Sequence, residues 1–331
     1  MSSRRYKSPP GFVWLILAFL LGGCASPSVR LADLPTLAGK GRIELEETPF
    51  FPQEELQCGP AALATALGAA GVPADPAELV PEVFTPGLEG SLQPEMLGAV
   101  RRRGLLPYEI SGDLDALAGQ LVDGRPVLIL QNLGLASYPV WHYAVVVGLD
   151  PAMNTLVLRS GRERRLIMSA GKFHKSWERA GRWGFVVIRP GQLPADIDAA
   201  AYAKAVAGLE TAGRFEDAAL AWEAGLVGSP DEAVYLFGLG NARYALGDKA
   251  GARASWERFV RLRPNDPAGL NNLAVVLGES GCVQRARSLA QQALAGLPTG
   301  DPVAEEIAQT LETLRARPAQ PEPTGCQAPQ P

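Results

Sequence analysis

Two residues of this sequence have the chemistry of a nucleophile and its base. Cys58 opens the segment Cys58-Gly-Pro-Ala-Ala-Leu, where a small-residue helix is predicted to begin. The partial positive charge at a helix N-terminus favours a thiolate. His142 opens the buried strand His-Tyr-Ala-Val-Val-Val-Gly, about 84 residues downstream; the second of the two histidines, His174, lies in a polar segment predicted to be solvated. Either residue alone is more often structural, but together they predict a thiolate–imidazolium pair. Gln53 lies just upstream, where its amide could donate to a developing oxyanion.

The elements that must position this pair form a first domain over residues 49–190. Helices are predicted first, with a capped start at Asp75-Pro76, and strands follow them. The helices cover 59–70, 93–103 and 114–122, and the strands cover 126–131, 142–148, 155–159 and 184–188. This order predicts an α+β fold with an antiparallel sheet.

The second half of the chain repeats with a period of 34 residues. Four kinds of residue keep this spacing: Gly213, Gly247 and Gly281; Ala218, Ala252 and Ala286; Pro230, Pro264 and Pro298; Trp222 and Trp256. Glycine in the inter-helix turn, alanine where helices touch and proline after the second helix are typical of tetratricopeptide repeats. We therefore predict an all-α solenoid over residues 198–316, made of three repeats and a capping helix. Its groove is expected to bind a protein partner, and residues 317–331 form a Pro-rich tail predicted to be disordered.

The N-terminus has the pattern of an exported lipoprotein. Arg4, Arg5 and Lys7 precede an apolar run over 12–21, which ends in Leu-Gly-Gly-Cys24. This resembles a bacterial lipobox, which implies a signal peptide over 1–23 and a lipid, palmitate included, on Cys24. Residues 24–48 are predicted to be a spacer. Ala25 follows the cysteine in place of a retaining aspartate, so the expected location is the periplasmic face of the outer membrane.

The remaining composition excludes several other classes of function. The formal net charge is −4 and no basic run exceeds three arginines, so nucleic-acid binding is not expected. No phosphate-binding loop of the Gly-x-x-x-x-Gly-Lys-Ser/Thr type is present, so no use of ATP is predicted. In an oxidising compartment Cys282 and Cys326 could pair, or Cys282 could be a small buried hydrophobe, and the sequence leaves both open.

The residues around Cys58 and His142 resemble those of the bacteriocin-processing cysteine peptidases, a papain-like family. The similarity covers roughly residues 48–190 and rests on Cys58-Gly59, the strand at 126–130 and His142-Tyr143. It is greatest to free-standing lipoprotein members fused to tetratricopeptide repeats. The resemblance implies that Cys58 is the nucleophile, that His142 is the general base and acid, and that an upstream glutamine donates to the oxyanion. It also implies that no metal or other cofactor is needed.

Two departures from the family pattern concern the supporting residues. The family glutamine lies six residues before the cysteine, where this chain has Pro52, so Gln53 is the oxyanion candidate and Gln57 its rival. The family carboxylate that orients the imidazole is replaced by the stretch ending in Ser160. A hairpin turn over 151–154 would place Asp150 about 26 Å from His142, which excludes it. Ser160 returns beside His142 and could accept a hydrogen bond from the imidazole.

Three functions are compatible with these residues. The leading one is a cysteine peptidase that hydrolyses a peptide bond through an acyl-enzyme on Cys58. A second is a catalytically inactive scaffold that binds peptides, favoured by the missing carboxylate. The third keeps the Cys58–His142 chemistry but transfers the acyl group to an amine.

Overall fold

The computed structural model describes residues 29–53, 57–88, 90–298, 300–317 and 321–326. An α+β region with an antiparallel sheet comes first and a region of helices follows, so the predicted α+β class is confirmed. The predicted signal peptide and the predicted lipidation site Cys24 lie outside the described residues. Within those ranges, no helix has both the length and the apolar character needed to cross a membrane.

The main sheet has seven antiparallel strands in the order β4-β9-β5-β6-β7-β8, with β1 also paired to β6. Strands β2 and β3 form a separate small hairpin. The strands are β1 Ile43–Glu44, β2 Phe84–Thr85, β3 Gly90–Ser91, β4 Leu106–Glu109, β5 Val127–Asn132, β6 Trp141–Asp150, β7 Thr155–Ser160, β8 Glu163–Ser169 and β9 Gly184–Ile188. The helices of this region are α1 Cys58–Ala69, α2 Pro76–Val83, α3 Gln93–Arg102, α4 Leu114–Val122 and α5 Ala170–Glu178.

The central strand β6 is buried on both faces because its residues alternate between two cores. Tyr143 and Val145 belong to the core that contains the apolar residues of α1. Ala144 and Val146 belong to the opposite core, with Phe173 of α5. This period-2 alternation follows from strand geometry, and it explains why the unbroken apolar run after His142 is fully covered.

The segment around His174 differs from its prediction. It forms helix α5, in which Phe173 and Trp177 lie one turn apart and are fully buried against the sheet. The ring nitrogen Nδ1 of His174 is buried and has no hydrogen-bond partner among the described residues. The prediction of a solvated segment was wrong. Most side chains of this helix are polar, and the sequence does not show that its two aromatic residues pack against the sheet.

Residues 29–48, predicted to be spacer, pack on the sheet. Leu31 and Leu37 are buried in the core shared by α4 and β6. The side chain of Asn154 holds this segment from both sides: its Oδ1 accepts from Leu31 N at 2.8 Å and its Nδ2 donates to Val29 O at 2.9 Å. The segment contains two short 3-10 turns, Leu31–Asp33 and Pro35–Leu37, and its apolar residues follow no regular period. Its packing on the sheet could therefore not be predicted from the sequence pattern.

The helical region keeps the 34-residue period of its sequence. Helices α6 Ala199–Thr211, α8 Ala233–Ala245 and α10 Pro267–Glu279 begin 34 residues apart, and so do α7 Phe215–Gly228, α9 Lys249–Leu262 and α11 Val283–Ala295; α12 Pro302–Ala316 follows. A Cβ at Gly238 would overlap the Trp222 indole, and one at Gly240 would overlap Trp256. The repeated tryptophans therefore fill the space that the glycines leave between helices.

A disulfide between Cys282 and Cys326 ties the chain end to the last helices, with the two Cα atoms 5.2 Å apart. The carboxylate of Glu322 accepts from the backbone N–H of Gln284 at 2.6 Å, at the start of α11. Arg285 donates to the carbonyl of Cys326 at 3.0 Å. Of the two alternatives that the sequence left open, the structure has the paired cysteines.

The sheet shares one hydrophobic core with the first helices of the helical region, α6 to α8. Tyr108 and Val186 of the sheet lie in the same buried cluster as Tyr202, Trp222 and Tyr235 of the helices. The hydroxyl of Tyr108 accepts from Asp198 N at 3.0 Å and donates to Asp196 O at 2.8 Å. Helix α6 thus covers the β4 edge of the sheet directly.

Candidate active site

Cys58 is the first residue of α1, and this helix is buried along most of its length. Residues from Gly59 to Leu67 are all buried, and Pro60 occupies the first turn, where its missing N–H costs no hydrogen bond. The side chain of the N-cap residue Gln57 makes no capping hydrogen bond. The sulfur of Cys58, which is partly buried and unpaired, therefore lies at the positive end of a rigidly packed helix.

Gly59 makes room for the protein's own β3. A Cβ at this position would overlap the side chain of Ser91. The Cys-Gly dipeptide therefore allows the hairpin β2–β3 to close against the start of α1. Ser91 and Cys58 consequently line the same cleft.

His142 and Ser160 are brought together by the hairpin β6–β7. The Nε2 atom of His142 lies 2.8 Å from Oγ of Ser160. The tautomer in which Nε2 donates to Ser160 leaves Nδ1 unprotonated, as a general base requires. Asp150 lies at the far end of β6, where its carboxylate accepts from Met153 N in the turn, as the predicted hairpin requires.

Gln53 lines the cleft with Cys58, whereas Gln57 does not. The backbone N–H of Gln53 donates to Gly161 O at 3.0 Å, which attaches it beside Ser160. Its amide Nε2 contacts Tyr143 O at 3.5 Å, a long and weak hydrogen bond. The amide is thus held in the cleft and remains available to a stronger acceptor.

Tyr143 contacts Gln53 and Ser91 of the same cleft. The sequence pattern assigned it no role. Its backbone N–H lies near the thiol of Cys58 and lowers the pKa of that thiol, and its hydroxyl donates to Ser91 O at 3.1 Å. Its ring packs edge-on against Trp183, with the centroids 6.1 Å apart. The only sequence signal for this residue was its place directly after the histidine.

Burial disfavours the charged forms of both Cys58 and His142. It raises the pKa of the Cys58 thiol above the ordinary value, against an opposing effect of backbone hydrogen bonds from Tyr143, Gly59 and Cys58 itself. Burial also lowers the pKa of His142. Both directions disfavour charge. They therefore act against the predicted thiolate–imidazolium pair, and no carboxylate among the described lining residues of the cleft supports the imidazolium.

The cleft has a volume of about 820 Å³ and no charged side chain among its described lining residues. Its lining is apolar or neutral: Gln53, Cys58, Leu88, Gly90, Ser91, Leu92, Gln93, Pro94, Leu130, Trp141, His142, Tyr143 and Ala180. Elsewhere in the described part of the chain, no group of three or more His, Cys, Asp or Glu residues could hold a metal ion. The arrangement can place an uncharged peptide segment beside one nucleophile, one base and one amide donor.

No protein-family model matches the chain, and no curated protein matches it. Among solved structures, a protein of Bacillus anthracis described as C39-like peptidase is 16% identical, with a TM-score of 0.38, over 45% of this chain and 98% of that one. The peptidase domain of Streptococcus ComA is 19% identical, with a TM-score of 0.36, over 43% and 98%. The Yersinia enterocolitica type III secretion translocator chaperone SycD is 20% identical, with a TM-score of 0.34, over 36% of this chain and 87% of that one.

Proposed function

We propose that this protein is a cysteine peptidase of the bacterial cell envelope. The observation that carries the proposal is that Cys58, at the head of a buried helix, and His142 line the same cleft, and that the ring of His142 is hydrogen-bonded to Ser160 at 2.8 Å. Gln53 supplies an amide donor in the same cleft. The resemblance of the Cys58 and His142 segments to the bacteriocin-processing peptidases points to the same chemistry.

The proposed reaction begins with an uncharged Cys58 thiol and an uncharged His142 imidazole, the forms that burial favours. As the sulfur of Cys58 attacks a peptide carbonyl, Nδ1 of His142 takes the thiol proton, and Ser160 orients the resulting imidazolium through Nε2. The amide of Gln53 stabilises the oxyanion. His142 then gives the proton to the leaving amine, which leaves a thioester on Cys58. Water, deprotonated by His142, hydrolyses that thioester and releases the acid and the free thiol.

We propose that the rest of the chain anchors this site at a membrane and binds a partner or the substrate. We propose that Cys24 carries a lipid that holds the protein on the periplasmic face of the outer membrane. The 34-residue period of the helix starts and the Trp–Gly contacts between helices support tetratricopeptide repeats. Such repeats bind a protein partner, or the substrate itself, in their groove.

A peptide-binding scaffold without catalysis is the second candidate. It is favoured by Ser160 in the place of a carboxylate and by the raised pKa of Cys58, since both reduce the reactivity of the thiol. A scaffold needs the apolar cleft but neither the thiol nor the imidazole. The two candidates therefore differ in what Cys58→Ala does to binding and to turnover.

The test is cleavage of a proteome-derived peptide library by the protein lacking residues 1–24, in water enriched in ¹⁸O. Mass spectrometry identifies products, and Cys58→Ala and His142→Ala are the controls. New C-termini that carry ¹⁸O in the wild type alone support hydrolysis through Cys58. Products joined to an amine would indicate acyl transfer. Peptides retained equally by wild type and Cys58→Ala, with no products, would support the scaffold and refute the peptidase.

A further inference from the structure

Tyr143 influences the geometry of the cleft, because it contacts several of the residues that line it. Its carbonyl accepts from Nε2 of Gln53 at 3.5 Å, and its hydroxyl donates to the carbonyl of Ser91 at 3.1 Å. Its backbone N–H lies near the thiol of Cys58 and lowers the pKa of that thiol. A small displacement of this residue would therefore move the nucleophile's hydrogen bond, the oxyanion donor and the β3 wall together.

The ring of Tyr143 is supported by Trp183, and the orientation of Trp183 is fixed in turn. The indole packs edge-on against Tyr143 and against Phe185, with centroids 6.1 and 5.4 Å apart. Edge-on aromatic contacts prefer one relative orientation of the two rings. The indole Nε1 donates to Oε1 of Glu109 at 2.9 Å, which prevents rotation of the ring about its side-chain bonds.

Glu109 ends β4, at the edge of the sheet that α6 covers. Its second oxygen, Oε2, pairs with Nζ of Lys204 in α6 at 2.6 Å, while a quarter of its side chain remains exposed. Burial alone would raise the pKa of Glu109, but hydrogen bonds from Lys204 and Trp183 and the charges of Lys204 and Arg101 lower it. The acceptor for the indole is thus a carboxylate throughout the neutral range.

We propose that Glu109 is a positioning residue of the active site. It holds Trp183 against Tyr143 and thereby keeps the Cys58 thiol and the Gln53 amide in their relative positions. The proposal rests on the proposed peptidase function for its effect on turnover. Its effect on the environment of Cys58 is independent of any substrate. Glu109 touches no reacting atom and acts through the series Glu109–Trp183–Tyr143.

The experiment measures alkylation of Cys58 by iodoacetamide across pH, by intact mass, in the protein lacking residues 1–24. Loss of the Tyr143 N–H bond removes an interaction that lowers the thiol pKa, so Glu109→Ala is expected to raise the alkylation midpoint by about half a pH unit or more. Trp183→Phe, which keeps a ring but removes the donor, should do the same. Glu109→Gln keeps an acceptor for the indole and should restore a midpoint close to that of the wild type.

The control is Tyr108→Phe, which removes hydrogen bonds at the same junction of sheet and helices but has no link to Trp183. It should lower the melting temperature without moving the alkylation midpoint. Unchanged midpoints in both Glu109→Ala and Trp183→Phe would overturn the proposal, and so would an equal shift in Tyr108→Phe.

Turnover on any peptide that the wild type cleaves provides the second measurement. Glu109→Ala should lower kcat about ten-fold with KM changed less than two-fold, because misplaced reacting groups slow the chemical step. A change in KM alone would refute positioning. If the wild type cleaves nothing, the peptidase function fails, while the alkylation midpoints still decide whether Glu109 positions Cys58.

Discussion

Replacing Ser160 with aspartate puts a carboxylate where the structure has a hydroxyl 2.8 Å from Nε2 of His142. The neutral serine can orient the imidazole but does little to stabilise its charged form. Burial meanwhile lowers the pKa of His142 below its ordinary value. A carboxylate at this position attracts the imidazolium and therefore raises the pKa of His142. The imidazolium then favours the thiolate of Cys58, whose pKa falls.

The size of the change follows from the separation of the charges. Two unit charges about 4 Å apart interact by about 4 kcal/mol at an effective dielectric constant of about 20, which corresponds to about 3 pH units. Ser160 is only 9% exposed, so desolvation of the new carboxylate opposes part of this gain. We expect Ser160→Asp to raise the pKa of His142 by about 1–2 and to lower the alkylation midpoint of Cys58.

The assay is an NMR titration of the ring protons of the two histidines, with His174→Gln to assign the signals. Ser160→Asn is the matched control, because asparagine has the shape of aspartate without its charge. Equal His142 pKa values in Ser160→Asp and Ser160→Asn would refute the reasoning. They would mean that the carboxylate is protonated or turned away from the ring.

Three further changes test the packing around the site. Gly59→Ala should lower the free energy of unfolding, measured by urea denaturation, by about 1–3 kcal/mol, because the added Cβ overlaps Ser91. Adding Ser91→Gly should restore most of this loss. If it does not, contact with β3 is not the reason that position 59 requires glycine. Arg159→Met should cost about 3 kcal/mol by the same method, since the buried guanidinium donates to three backbone carbonyls; a loss below about 1 kcal/mol contradicts this. Replacing Cys282 and Cys326 with alanine should destabilise the helical region by up to about 4 kcal/mol, given the 44-residue separation; a reductant should lower the thermal midpoint of wild type but not of the variant.

The strongest local patterns of the sequence predicted the main elements around the site. The helix behind Cys58 was expected over 59–70 and forms over Cys58–Ala69, because small residues and a first-turn proline specify it locally. The strand at His142, the turn after Asp150 and the return of Ser160 beside the histidine also follow from the unbroken apolar run and the turn residues behind it. The catalytic roles of these residues stay predictions.

What the sequence did not reveal depends on contacts between distant segments. The packing of residues 29–48 depends on Asn154, more than a hundred residues away. The role of Glu109 depends on a hydrogen bond to Trp183 across the sheet. The pKa shifts of Cys58 and His142 depend on how deeply both residues are buried, whereas the sequence shows only the helix end that favours the thiolate.

The central claim is that His142 activates Cys58, and the most direct test compares the alkylation of Cys58 in the wild type and in His142→Ala across pH. We predict that the wild type reacts at least about ten-fold faster near pH 7. Its profile should show, besides the step of the Cys58 thiol, a decline as His142 becomes protonated, below the ordinary imidazole pKa of about 6.5. Identical profiles in the two proteins, with a single midpoint at or above that of an ordinary thiol, would contradict the account.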